Sequence, residues 1–141
     1  MSDETKTVLL ADDQIFMLRL LESTFLKDGY QVFQVQNGTD ALTVATERKP
    51  NLIVMDVMMP GLDGLSAISQ LKQNEATRDI PVIVLSSKAH AMTKLKAEQA
   101  GAALFMYKPF SPNLLRSEAQ RILGLARLAN KEQHEDTQTE V

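Results

Sequence analysis

Short apolar runs alternate five times along the chain with longer segments in which apolar residues recur at helical spacing. The first of these segments places Ile15, Leu18 and Phe25 on one predicted helix face. Gly29 and Pro50 stand where the first two helical segments end. We therefore predict five strands, at residues 8–11, 30–35, 52–55, 80–85 and 103–107, and five helices, at residues 15–27, 40–49, 65–74, 91–100 and from 111 or 112 to about 129.

Five β-α units with short connections predict a parallel sheet with helices on both faces. Right-handed crossovers leave few chain orders, and the doubly wound, flavodoxin-like order is favoured. The run at 52–55 is apolar throughout, as in a strand buried on both faces, whereas 30–35 alternates and is expected near an edge. The predicted fold class is α/β, a single (βα)5 domain over residues 1–128. Residues 129–141 are polar, acidic and aperiodic, and are predicted to be a disordered tail.

The composition is that of an ordinary globular domain. The chain has 141 residues, of which 44% are hydrophobic and 23% charged, a length that suits one domain. The formal net charge is −3 and Lys and Arg are not clustered, so no direct contact with nucleic acid is expected. There are no cysteines, which excludes a disulfide framework and a thiolate metal site. No apolar stretch is long enough for a signal peptide or a membrane span, so we expect a cytoplasmic protein without membrane contact.

Polar side chains stand at the ends of four predicted strands. They are the adjacent pair Asp12 and Asp13, then Asp56, Ser86 and Lys108. Because the carboxyl ends of parallel strands meet at one edge, where such sheets bind ligands, these side chains should converge. Paired carboxylates are oxygen ligands suited to Mg²⁺, and an ammonium group binds phosphoryl oxygens. The sequence predicts a site for Mg²⁺ and phosphate.

Each of these groups has a simpler structural explanation when taken alone. The acidic pair could cap the helix that follows it, and Asp56 could form only a structural ion pair with Lys108. Ser87 competes with its neighbour Ser86 as the hydroxyl at that strand end. The convergence of four strand ends in one register favours the functional interpretation over chance or capping.

The segment after the third predicted strand carries the most specific signal. It reads Asp56-Val-Met-Met-Pro-Gly-Leu-Asp-Gly64, and it resembles the phosphoacceptor loop of the receiver domain of bacterial two-component response regulators, the CheY-like family. The acidic pair, the Asn37-Gly38 turn and the run Lys108-Pro109-Phe110 also match, and the resemblance covers about residues 7–128. It implies a signalling protein rather than an enzyme.

Carried over residue by residue, the resemblance implies a phosphoacceptor site that uses Mg²⁺ as its cofactor. Asp56 would take the phosphoryl group from the phosphohistidine of a sensor histidine kinase or a phosphotransfer protein. The implied magnesium ligands are Asp13, Asp12 largely through water, Asp56 and the main-chain carbonyl of Met58.

The same resemblance implies how the phosphate would be read. Ser86, rather than Ser87, would hydrogen-bond one phosphoryl oxygen and Lys108 would pair with another. Phe105 falls at the position of the family's switch aromatic, where tyrosine is commoner. The expected interaction surface for a downstream protein is the face formed by the fourth helix, fifth strand and fifth helix.

The sequence leaves the downstream role of the chain open. The chain could signal alone by protein binding or pass the phosphate on in a relay, or it could be the receiver fragment of a longer regulator with a DNA-binding or enzymatic output. A haloacid dehalogenase type phosphatase is disfavoured because Met58 stands where that class needs a second acidic residue. Leu125 and Leu128 could extend the last helix into a contact surface, so a monomer and a phosphorylation-linked homodimer are both expected possibilities.

Overall fold

Strands and helices alternate along the whole described chain, as the sequence predicts. The computed structural model describes residues 5–87 and 91–139. Its strands are β1 Thr7–Ala11, β2 Gln31–Val35, β3 Leu52–Asp56, β4 Val82–Ser86 and β5 Leu104–Tyr107. Its helices are α1 Ile15–Leu26, α2 Gly38–Arg48, α3 Gly64–Gln73, α4 Ala91–Ala100 and α5 Pro112–Thr139. None of the helices in this part of the chain combines the length and the apolar character needed to cross a bilayer.

All five strands belong to one parallel sheet in the order β2-β1-β3-β4-β5. This is the flavodoxin-like, doubly wound order, so the predicted fold class is confirmed. β2 lies at an edge, as its alternating pattern indicates, and β3 lies at the centre with every residue buried. The order brings the carboxyl ends of β1, β3, β4 and β5 next to one another, which is the edge where the predicted site lies.

The apolar residues form one core on each face of the sheet. Strand residues alternate between the two, so that Leu9 and Ile53 face one core while Leu10 and Val54 face the other. The first core is covered by α2, α3 and α4, through Ala41, Ala45, Ala67, Ile68, Leu71 and Ala97. The second is covered by α1 and α5, through Leu18, Leu21, Phe25, Leu115, Ala119 and Ile122. Burial on both faces explains why the central strands are continuously apolar.

Four predicted strand starts differ from the structure by one or two residues, and two of these differences have a clear local reason. β2 begins at Gln31 because the Tyr30 amide donates to the Phe25 carbonyl at 3.3 Å and so belongs to the turn that ends α1. β4 begins at Val82 because Pro81 has no N–H for the sheet. Pattern alone locates an element better than it locates its first residue.

The predicted end of the last helix near Ala129 is wrong, since α5 continues to Thr139. Residues 130–139, predicted as part of a disordered tail, have helical backbone instead. They contain Lys, Glu and Gln, which favour helix, and neither Gly nor Pro to stop it. The domain boundary after Leu128 stays a prediction, and residues 1–4, 140 and 141 lie outside the described residues.

An ion pair fastens α5 to the turn after α1. Arg116 donates to both carboxylate oxygens of Asp28, at 2.7 and 3.0 Å. Both side chains are partly shielded, with 30% and 15% of their surface exposed. The hydrogen bond from Arg116 lowers the pKa of Asp28 below its ordinary value of 3.8.

Asp28→Asn should therefore lower the melting temperature at pH 7, by roughly 2 °C or more. Because the pKa of Asp28 is lowered by folding, the pair stabilises the fold above the ordinary pKa and loses that contribution as pH falls through the lower, folded value. Thermal unfolding followed by circular dichroism should show the difference shrinking from about pH 5 towards about pH 2. Glu118→Gln, which breaks a more exposed pair with Arg121, is the matched control and should change less. A difference of equal size at both pH values would exclude an electrostatic origin.

Candidate functional site

The predicted site residues converge at the carboxyl edge of the sheet. Asp56 is the last residue of β3 and Ser86 the last of β4, while the acidic pair follows β1 directly and Lys108 follows β5. Asp12 and Asp56 are buried at 1% and 7% exposure, whereas Asp13 is exposed. The carboxylates of Asp12 and Asp56 therefore lie inside the site, and Asp13 lies at its solvent-exposed side.

Three carboxylates are close enough to share a cation. One oxygen from each of Asp12, Asp13 and Asp56 can be chosen so that all three lie within 4.8 Å of one another. Hard oxygen donors at this spacing fit Mg²⁺, which takes a few carboxylates and keeps several waters. The cluster therefore fits the predicted metal, with an exposed side open to solvent.

Lys108 is the cation that holds the two buried carboxylates together. Its Nζ lies 2.9 Å from Asp12 Oδ2 and 3.2 Å from Asp56 Oδ2, and only 11% of its side chain is exposed. Burial by itself lowers the pKa of Lys108, but the hydrogen bond that its ammonium donates to Asp12 and the charges of both carboxylates outweigh that effect, so the pKa is raised. Lys108 is therefore fully charged at neutral pH.

The buried position of Asp56 disfavours its ionised carboxylate. Burial raises its pKa above the ordinary value, and the charge of Lys108 and the Met58 amide only partly counteract that effect. The Met58 N–H donates to Asp56 Oδ1 at 3.2 Å, while Oδ2 faces Lys108. The carboxylate is thus fixed by two donors, and its ionised form is less stable than that of an exposed aspartate.

The hydroxyl and aromatic candidates lie on the neighbouring strands. Ser86 is fully buried while Ser87 is exposed, and the Lys108 N–H donates to the Ser86 carbonyl at 2.9 Å. Phe105 is 9% exposed and packs in the core under α4, so its ring already points inward. Tyr107, which sequence reasoning missed, stacks edge-on against Phe105 with centroids 5.0 Å apart and is 42% exposed.

A glycine that the sequence shows only as part of a motif shapes the loop after Asp56. A Cβ added to Gly64 would overlap the Asp56 carbonyl oxygen and lie 2.9 Å from the Val57 Cα. The Gly64 N–H donates to the Val57 carbonyl at 3.0 Å, and the Asp63 side chain caps α3 through the Ser66 N–H at 2.8 Å. The start of α3 is therefore packed directly against the backbone that presents Asp56.

Comparison with known proteins agrees with this geometry. A family model described as the response regulator receiver domain matches residues 8–120. The phosphate regulon transcriptional regulatory protein PhoB of Pseudomonas aeruginosa is 34% identical over 118 residues, which are 84% of this chain and 52% of that protein. The protein PilH of the same organism is 32% identical over 117 residues, which are 83% of this chain and 97% of PilH.

A solved structure shows the same fold around a metal. The receiver domain of the sensor histidine kinase PA1611 from Pseudomonas aeruginosa, with a magnesium ion coordinated in its active site cleft, has a TM-score of 0.80 and 30% identity. The alignment covers 86% of this chain and 99% of that one. This chain spans about half the length of PhoB and of the other transcriptional regulators it matches.

Proposed function

This chain belongs to the response regulator receiver family, and on that basis we propose that Asp56 accepts a phosphoryl group in a two-component signalling system. The observation that carries the proposal is the setting of Asp56, whose carboxylate ends a fully buried strand 3.2 Å from the Lys108 ammonium. A carboxylate can attack phosphorus to form an acyl phosphate. Phosphoryl transfer needs positioning and charge neutralisation more than further chemistry from the protein.

The reaction we propose joins an Asp56 oxygen to phosphorus. The new P–O bond forms as the P–N bond to the donor's phosphohistidine breaks, and the freed imidazole takes up a proton. Bound Mg²⁺ would neutralise charge on the transferred group, held by the three carboxylates and the Met58 carbonyl. Asp12 already accepts hydrogen bonds from the Gln14 N–H and from Lys108, both at 2.9 Å, which supports its contacting the metal largely through water.

The surface around the site supports a protein as the phosphoryl donor. Ile15 and Phe16, the first two residues of α1, come one residue after the acidic pair and are 56% and 78% exposed. Exposed apolar side chains beside a polar site are typical of protein contacts. A histidine kinase or phosphotransfer protein is therefore the donor we propose, with the cytoplasm as the compartment where they meet.

The proposed output is phosphorylation-dependent binding of a downstream protein, or onward transfer of the phosphate in a relay. The phosphate adds about two negative charges, which Ser86 and Lys108 would contact. Phe105 would convey that change to the face formed by α4, β5 and α5. Exposed Met92, Leu95 and Tyr107 on this face, at 60%, 45% and 42%, support a protein partner rather than nucleic acid.

A receiver of a longer regulator is the second candidate. Two observations favour it: the chain spans only half of PhoB, and α5 continues as a helix to Thr139. A helix that runs past the core can serve as the connection to a following domain. The near-complete coverage of PilH favours the first candidate.

Phosphorylation by a small donor tests the proposal. Incubation with acetyl phosphate and Mg²⁺ should add one phosphate to the intact mass, and borohydride reduction followed by peptide sequencing should map it to Asp56. EDTA should prevent the addition, because charge neutralisation of the phosphoryl group is then lost. Uptake that is undiminished in EDTA, or that maps to a peptide without Asp56, would contradict the proposal.

A further inference from the structure

The β2–α2 turn, residues 36–38 with Gly38 as the first residue of α2, contacts both the loop of the acidic pair and the loop that follows Asp56. On one side the Val35 carbonyl, just before the turn, accepts the Asp12 N–H at 3.2 Å. Gln36 Nε2 then donates to the Asp13 carbonyl at 3.4 Å. The β2–α2 turn is thus tied to the backbone of the acidic pair.

On its other side the same turn supports the loop after β3. A Cβ added to Gly38 would overlap the Leu62 carbonyl oxygen and lie 3.0 Å from the Leu62 carbonyl carbon and 3.1 Å from its Cβ. Gly38 is buried and has no left-handed φ, so alanine would suit the helix by propensity. The need for glycine therefore comes from the close approach of Leu62, which lies in the loop that also holds Met58.

Side-chain bonds fix the turn itself. Asn37 Oδ1 accepts the Asp40 N–H at 2.8 Å, and Asn37 Nδ2 donates to Asp40 Oδ2 at 3.0 Å. This reciprocal cap at the start of α2 holds the turn against rotation. A rigid element therefore lies between the acidic-pair loop and the loop of Met58.

We propose that Gly38 and Gln36 are positioning residues that set the separation of these two loops, and through it the affinity of the site for Mg²⁺. Neither residue is proposed as a metal ligand; both act through the backbone of the loops that carry the proposed ligands. Outer groups that orient metal ligands typically change metal affinity by about 10–100-fold when altered. The inference rests on the proposed function for its biological meaning, but the quantity it predicts is metal binding.

Gly38→Ala tests the proposal by calorimetric titration with Mg²⁺ alone. It should weaken binding roughly tenfold, the lower end of that range, while the extent of phosphorylation by acetyl phosphate recovers at saturating Mg²⁺. Gly101→Ala is the matched control, since it introduces strain at a φ of +113° beside Lys72 but lies before β5, at the opposite edge of the sheet. It should lower the melting temperature in EDTA and leave the Mg²⁺ affinity unchanged.

A milder variant keeps the test decisive if Gly38→Ala folds poorly. Gln36→Ala removes one long hydrogen bond from an exposed side chain and should weaken Mg²⁺ binding about twofold. Parental affinity in both variants, or equal weakening in Gly101→Ala, would overturn the positioning role. A parent protein that binds Mg²⁺ but takes up no phosphate would overturn only the proposed function, and one that does not bind Mg²⁺ would overturn both.

Discussion

Asp56→Asn should take up no phosphoryl group from acetyl phosphate and should also melt at a higher temperature than the parent in EDTA. Loss of phosphorylation follows because the amide is not a nucleophile toward phosphorus. The gain in stability follows from charge, because three carboxylates face one ammonium at this edge, which leaves two formal negative charges. Asparagine keeps the shape, removes one of them, and leaves Lys108 paired with Asp12.

Burial is the main cause of the raised pKa of Asp56. A raised pKa means that folding disfavours the ionised carboxylate, so it also predicts that removing this charge stabilises the protein. The expected gain in the free energy of unfolding is on the order of 1 kcal/mol, the size typical of a single stabilising substitution. Urea denaturation at pH 7 in EDTA measures it, with Asp63→Asn, at a helix cap away from Lys108, as the control that should not gain. A less stable Asp56→Asn would show that Lys108 needs both carboxylates.

The sequence predicts the convergence of these side chains because each of them ends or follows an apolar run. Asp56 follows a continuous hydrophobic strand, and in a parallel sheet the position of a strand end fixes its neighbours. The sequence pattern does not distinguish Ser86 from Ser87 as the hydroxyl at this strand end. The structure does, because Ser86 is buried and Ser87 is exposed. The predicted ion pair with Lys108 is present, so the structural and functional interpretations of Asp56 describe the same contact.

Contacts between distant backbone segments are what the sequence does not reveal. Gly38 and Leu62 are far apart in the chain, and nothing in either neighbourhood signals that a Cβ would overlap a carbonyl oxygen there. The length of α5 is hidden for another reason, since polar residues without periodicity are compatible with helix as well as with coil. The pattern of apolar residues shows which segments are buried, and it predicts little about structural features that do not depend on burial.

Lys108→Met should cause the largest loss of stability among these substitutions. It leaves Asp12 and Asp56, at 1% and 7% exposure, buried side by side without their shared cation. Removing one partner of a buried ion pair typically costs about 3–5 kcal/mol. We expect about 3 kcal/mol here, since Lys108 keeps some contact with solvent and the discount for screening applies. Because folding raises the pKa of Lys108, its contribution is fully present at pH 7 and is lost only above its ordinary value of 10.5.

The double variant Lys108→Met with Asp56→Asn decides whether the loss is electrostatic. If buried charge is the cause, removing one stranded carboxylate should recover a large part of the stability, and the two changes should be strongly non-additive, as contacting residues usually are. Urea denaturation of the parent, both single variants and the double variant at pH 7 in EDTA gives the coupling free energy. Additive effects would assign the loss to packing of the lysine chain instead, and Lys108 would then not be the counter-ion that balances this site.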